Sequence, residues 1–145
     1  YEEVESVAAI AAVLESGGIA VETGLYGVET TLQATTGNGN GRTIAILAEY
    51  DALPEIGHAC GHNLIAAAGV GAFLALDELY RQNPEAVPGT VVLLGTPAEE
   101  GHSGKEVMAR AGAFDSIDAG VVMAGDRRAT HANMRSGRDV RKVYI

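Results

Sequence analysis

Val4, Val7, Ala8, Ala11 and Leu14 recur at the spacing of one helix face, while Glu2, Glu3, Glu5 and Ser6 open the polar side. Residues Glu2 to Glu15 therefore read as an amphipathic helix. Gly17-Gly18 ends it, because glycine readily takes the left-handed conformation that closes a helix. Ile19–Thr23 and Glu29–Thr35 are strand candidates. The run Gly37-Asn38-Gly39-Asn40-Gly41 is a strong turn signal and predicts a hairpin joining residues 29–35 to residues 43–49. Thr43–Ala48 is almost wholly apolar, as expected of a strand buried on both faces. A long helix follows, capped by Asn63 and running to about Gln82, with small residues such as Ala66, Ala67 and Gly69 that permit close packing. Thr90–Gly95 repeats the buried-strand pattern, and a helix over about Lys105–Ala111 and a strand near Ala119–Met123 complete the series.

Strands alternating with helices predict an α/β fold, a mixed but mostly parallel sheet flanked by helices. Ligands in such folds sit beyond the carboxyl ends of the strands. Both buried strands run into acids at that end, Glu49-Tyr50-Asp51 after the first and Pro97-Ala98-Glu99-Glu100 after the second.

A length of 145 residues fits one domain, and 47% apolar with 20% charged residues supports a real core and excludes wholesale disorder. The single cysteine excludes an internal disulfide framework and favours a reducing, cytoplasmic setting. No uninterrupted apolar run approaches the roughly 18 residues of a bilayer span, so no membrane partner is expected. The acidic start lacks the basic region of a signal peptide, and the absence of an initial Met points to a chain that begins inside a longer protein. Net charge is −13 up to residue 125 and +4 over residues 126–145, −9 in all. The acidic body argues against nucleic acid as a partner, which requires clustered cations. The reversal divides the chain into a main part, 1–125, and a basic tail, 126–145.

The densest polar cluster is Gly57-His58-Ala59-Cys60-Gly61-His62-Asn63. Thiolate and imidazole are good ligands for zinc and similar ions. A buried cysteine is, however, often only a small hydrophobe, and a histidine only a hydrogen-bonded core residue. The coincidence of this cluster with two acid-tipped strands is what points to a divalent-metal site with a carboxylate left over as general base.

Three blocks, Ala48-Glu49-Tyr50-Asp51-Ala52-Leu53-Pro54, His58-Ala59-Cys60-Gly61-His62-Asn63 and Gly95-Thr96-Pro97-Ala98-Glu99-Glu100, resemble the metal-dependent amidohydrolases of the aminoacylase/carboxypeptidase superfamily. Asn63 resembles the branch of aminobenzoyl-glutamate hydrolase and aminoacyl-amino-acid dipeptidases, and the likeness covers about residues 1–123. The resemblance implies part of a dinuclear metallopeptidase catalytic domain, with the family's lid and dimerisation domain absent from this chain. It implies two divalent ions, zinc or manganese, with Cys60, His62 and Glu100 as ligands. Glu99 would be the catalytic base and Asp51 the carboxylate that supports a ligand. His58 matches the pattern without being a ligand, and His102 stands where relatives tend to have glycine. The implied reaction is hydrolysis of an amide in a small N-acyl- or aminoacyl-amino acid, and the implied full-length assembly is a homodimer.

The likeness fails at one position and then ends. Relatives carry a further histidine ligand after the strand that follows the acid pair, and alignment from Asp118 places Ala124 there. His131 is the nearest replacement, and only if the loop folds back. The family's last histidine ligand follows the lid. The expectation is therefore an N-terminal portion that hydrolyses no amide by itself. The alternative is a non-catalytic homologue that binds a small acyl-amino acid or a partner protein.

Overall fold

A computed structural model describes residues 2–123 together with the backbone of residues 142–144. Along the chain come α1 (Val4–Ser16), β1 (Val21–Thr23), β2 (Leu32–Thr36), β3 (Thr43–Ala48) and α2 (His62–Gln82). After a 3-10 turn at Pro84–Ala86 follow β4 (Thr90–Gly95), α3 (Glu99–His102), α4 (Gly104–Arg110), β5 (Ala119–Val122) and β6 (Lys142–Tyr144). The strands form one mixed sheet in the order β1-β2-β4-β3-β5-β6. β3 is parallel to β4 on one side and β5 on the other, β6 continues parallel beyond β5, and β1 and β2 are antiparallel to their neighbours. The expected mixed, mostly parallel α/β fold is the one that forms.

The two-residue period of the strands sorts the core onto two faces. Ile46 and Ala48 of β3 and Val91 and Leu93 of β4 pack with Leu14 of α1 and Val70 and Phe73 of α2. Ala45, Leu47, Val92 and Leu94 point the other way, towards Val122, Phe114 and Ile117. α2 is long and apolar enough by length and composition to cross a bilayer. Its buried stripe of Ile65, Ala66, Gly69, Val70 and Phe73 nevertheless lies against β3 and β4, as in the core helix of an α/β layer.

Two local expectations are corrected. The hairpin across Gly37–Gly41 does not form: β2 pairs with β4, from Leu32↔Gly95 to Thr36↔Val91, and β4 separates it from β3. The Gly/Asn loop instead docks on the loop entering β4. The Gly39 N–H donates to the Gly89 carbonyl at 2.9 Å, and Asn38 Oδ1 accepts from the Gly89 N–H at 2.9 Å. A Cβ at Gly37 would lie 2.3 Å from that carbonyl oxygen, so glycine here serves a backbone-on-backbone crossing. β3, almost wholly apolar, takes parallel partners along both edges and has no edge left for β2. The second correction concerns the start of α2. The cap residue is Gly61, left-handed at φ 78°, and no side chain caps the helix, so Asn63 lies inside the first turn. His62 thereby becomes the first helical residue.

Candidate metal centre

The carboxyl ends of β3 and β4 lie side by side, with Ala48 paired to Gly95. The chain leaving each strand delivers acids to one place. Tyr50 anchors the first exit: it is buried, and its hydroxyl donates to the Thr30 carbonyl at 2.6 Å. Burial, and then the nearby Glu3 and Asp51 carboxylates, push its phenol far above the usual range, so it serves as a neutral donor.

His62, buried at the start of α2, points back at these acids. Its Nδ1 lies 2.9 Å from Asp51 Oδ1 and 3.1 Å from the Asp51 backbone carbonyl. Its Nε2 lies 3.5 Å from Glu49 Oε2 and 3.6 Å from Glu100 Oε1. Contact with Asp51 favours a proton on Nδ1, leaving the Nε2 lone pair facing the carboxylates. This is the way a carboxylate orients a histidine that is to act as a ligand.

Glu99 and Glu100 stand on α3, a single turn bounded by Ala98 at φ 54° and Ser103 at φ 50°. Non-glycine residues seldom hold that left-handed conformation, so the surroundings must enforce it. Glu3 Oε1 accepts from the Ala98 N–H at 3.0 Å, and Asp51 Oδ2 accepts from the Glu100 N–H at 3.0 Å. The Ala98 carbonyl accepts from the Gly104 N–H at 3.1 Å. Two distant carboxylates thus grip the backbone on either side of Glu99.

His62, Glu99 and Glu100 each present a ligand atom within 4.8 Å of the other two. Cys60 is exposed rather than a core hydrophobe, and Glu100 is the neighbour that most raises its pKa. Of the four residues singled out as ligands or base, His62, Glu99 and Glu100 come together, and Cys60 is not part of that group among the described residues. His58 and His102 line a neighbouring cleft of about 1150 Å³, also bordered by Asp51 and Glu100, and neither belongs to the ligand group found among the described residues. Ala124, His131 and the side chains of 126–145 lie outside the described residues.

Sequence reasoning gave no role to Lys105 or Glu3. Lys105 Nζ lies 2.6 Å from Glu49 Oε1 and 3.8 Å from Glu99 Oε1, in a position only 15% exposed. The available signal was scarcity, since residues 1–125 hold four Lys/Arg and this one closely follows the acid pair. Glu3 carries no local signal, because it meets Ala98 across 95 residues of sequence.

The hydrogen bond from the thiol to Glu100, more than desolvation or the charges of Glu100, Glu99 and Asp51, pushes the Cys60 pKa up. A raised pKa means less thiolate at a given pH. Without added metal, alkylation by iodoacetamide at pH 8 is expected to be slower than for a free cysteine, and Glu100→Gln should accelerate it. Equal rates in the two proteins would show that the thiol does not rest on Glu100.

The family model for peptidase family M20/M25/M40 matches residues 45–136. One component of the p-aminobenzoyl-glutamate hydrolase of Escherichia coli is 35% identical over 153 residues, which take in 94% of this chain and 31% of that protein. Mouse Xaa-Arg dipeptidase is 52% identical over 75 residues, 52% of this chain and 17% of that protein. Among solved structures, a Bacillus subtilis protein described as a dinuclear metal-binding peptidase of the M20 family superposes with a TM-score of 0.73 at 29% identity. That superposition covers 84% of this chain and 37% of the other. A match of a different kind is a β-type proteasome protein of Mycobacterium tuberculosis, 48% identical over 73 residues, 48% of this chain and 23% of that protein. The chain spans between 17% and 31% of the length of these three curated relatives.

Proposed function

Because the chain belongs to peptidase family M20/M25/M40, we propose that Cys60, His62 and Glu100 hold a divalent ion and that Glu99 acts as general base in cleaving an amide. The observation that carries this reading is His62, turned by Asp51 so that Nε2 faces Glu100, with Glu99 presenting a ligand atom to both. The donor set fits the group. Thiolate, imidazole and carboxylate suit zinc, and the surrounding acids Glu49, Asp51 and Glu99 also favour a cation such as manganese. A second ion would draw on donors beyond this set, consistent with the dinuclear description of the Bacillus subtilis relative.

When bound, divalent ions supply Lewis acidity, polarising the amide carbonyl and easing deprotonation of water. The residues of this chain do the rest. Glu100, beside His62 and with its N–H held by Asp51, is committed to ligation. Glu99, with 42% of its side chain exposed against 27% for Glu100, faces the open side. Its carboxylate takes the proton from the attacking water and returns it to the leaving nitrogen. Lys105 holds Glu49 and lies near Glu99, offsetting some of the repulsion among the acids. The substrate class that fits is a small N-acyl- or aminoacyl-amino acid, the chemistry named by the curated hydrolase and dipeptidase relatives.

The test is metal content. The purified chain, loaded with zinc or manganese and desalted, is expected to retain an ion that Cys60→Ala sharply depletes by elemental analysis. Unchanged content in Cys60→Ala would remove the thiol from the donor set.

A further inference from the structure

Glu3, at the N-terminal boundary of α1, reaches two other parts of the fold at once. Its Oε1 accepts from the Ala98 N–H at 3.0 Å, and its Oε2 accepts from the Thr30 hydroxyl at 3.0 Å. Thr30 is buried, and its carbonyl takes the Tyr50 hydroxyl at 2.6 Å. One carboxylate therefore links α1, the segment before β2 with the β3 exit, and the residue immediately before Glu99. Ala98 is the residue that needs holding: a non-glycine residue at φ 54° and ψ 44° from which α3 starts. Its N–H is oriented by Glu3, its carbonyl by Gly104, and the N–H of Glu100 in the same turn by Asp51.

We propose that Glu3 is a positioning residue for the Glu99–Glu100 turn, acting through the Ala98 backbone, so that closure of α1 on the sheet sets the direction of the two carboxylates. The proposal rests on the metal-centre reading for what those carboxylates do. It assigns α1 a part in the site beyond covering the core. A carboxylate is suited to this task because a hydrogen bond from a backbone N–H to a charged acceptor is stronger than one to a neutral group. A side chain that ended short of Ala98 would leave the left-handed residue without its external tie, and the turn would relax towards commoner backbone angles.

Three variants of the whole chain test this. Glu3→Ala removes both hydrogen bonds. Glu3→Gln keeps the shape and an oxygen for Ala98, with the Thr30 hydroxyl turned to accept. Val7→Ala loosens the packing of α1 without touching Ala98, and so serves as the control for general destabilisation. Manganese or zinc affinity by calorimetry is expected to fall about tenfold in Glu3→Ala, the lower end of what loss of a supporting group costs a metal site. It should be partly restored in Glu3→Gln, whose amide oxygen is a neutral acceptor, and change little in Val7→Ala. Amide hydrogen exchange at Glu100 gives a metal-independent readout: its protection should drop in Glu3→Ala, although its acceptor, Asp51, is intact. Equal affinity and equal Glu100 protection in Glu3→Ala and Val7→Ala would overturn the proposal. If the unaltered chain binds no divalent ion, the metal-centre reading fails, and exchange at Glu100 still decides whether Glu3 holds the turn.

Discussion

Glu99→Gln is expected to leave divalent-ion binding in place, while turnover of N-acyl- or aminoacyl-amino acids, read in a longer chain that supplies the remaining ligand and the lid, falls about 10²–10⁴-fold, the usual worth of a general base. Glu100→Gln should do the reverse to the metal. Glu100 Oε1 lies 3.6 Å from His62 Nε2, and Glu100 is the neighbour that most raises the pKa of Cys60. Removing its charge takes away the acid assigned as a ligand beside His62, and metal affinity should drop by more than the roughly 10–100-fold that loss of a supporting partner costs. Glu99 also has an oxygen within 4.8 Å of the His62 and Glu100 ligand atoms, so proximity alone does not separate the two acids. Their surroundings do: Glu99 is the more exposed and has Lys105 at 3.8 Å, whereas the N–H of Glu100 is tied to Asp51. Calorimetry with manganese and zinc, run beside the hydrolysis assay, measures both effects. Equal loss of metal in the two variants would make Glu99 a ligand and leave the reaction without its assigned base.

The parts of this fold that were legible in sequence are those fixed by local pattern. Thr43–Ala48 and Thr90–Gly95 match their observed bounds because burial on both faces leaves an unbroken apolar run with polar residues at each end. The acids beyond those runs were visible for the same reason. The choice of strand partner was not legible. Gly37–Gly41 has hairpin composition, but pairing is settled by the edge β4 offers to β2, and that edge exists only once α2 has returned the chain to the sheet. Turn α3 was missed because four residues between two left-handed neighbours carry no helical period, and distant carboxylates enforce its geometry. Cys60, His62, Glu99 and Glu100 are singled out by motif, whereas Glu3 and Lys105 make contacts that only the folded chain creates.

Gly104→Ala and Gly101→Ala, three residues apart around the same turn, are expected to move stability in opposite directions. Alanine is the better helix former by about 1 kcal/mol, so both substitutions would stabilise if propensity alone decided. At Gly101 nothing lies within 4 Å of where a Cβ would stand, and a gain of roughly 0.4–1 kcal/mol should follow. At Gly104 a Cβ would stand 2.0 Å from the Pro97 carbonyl oxygen, an atom of the backbone that cannot swing aside like a flexible side-chain end. Either α4 or the Pro97-Ala98 segment must shift, and forcing atoms into a packed site typically costs about 1–3 kcal/mol, occasionally more. The clash therefore outweighs the propensity gain, and Gly104→Ala should unfold at lower urea concentration than the unaltered chain. The consequence reaches the metal centre, because the Gly104 N–H is bonded to the Ala98 carbonyl at 3.1 Å and Ala98 leads directly into Glu99. Displacing Pro97-Ala98 moves both carboxylates, so metal affinity should fall in Gly104→Ala and hold in Gly101→Ala. Urea unfolding and metal titration of the pair measure the two effects separately. A Gly104→Ala variant as stable as Gly101→Ala, with the same affinity, would show that α4 does not approach Pro97 closely enough to fix the turn.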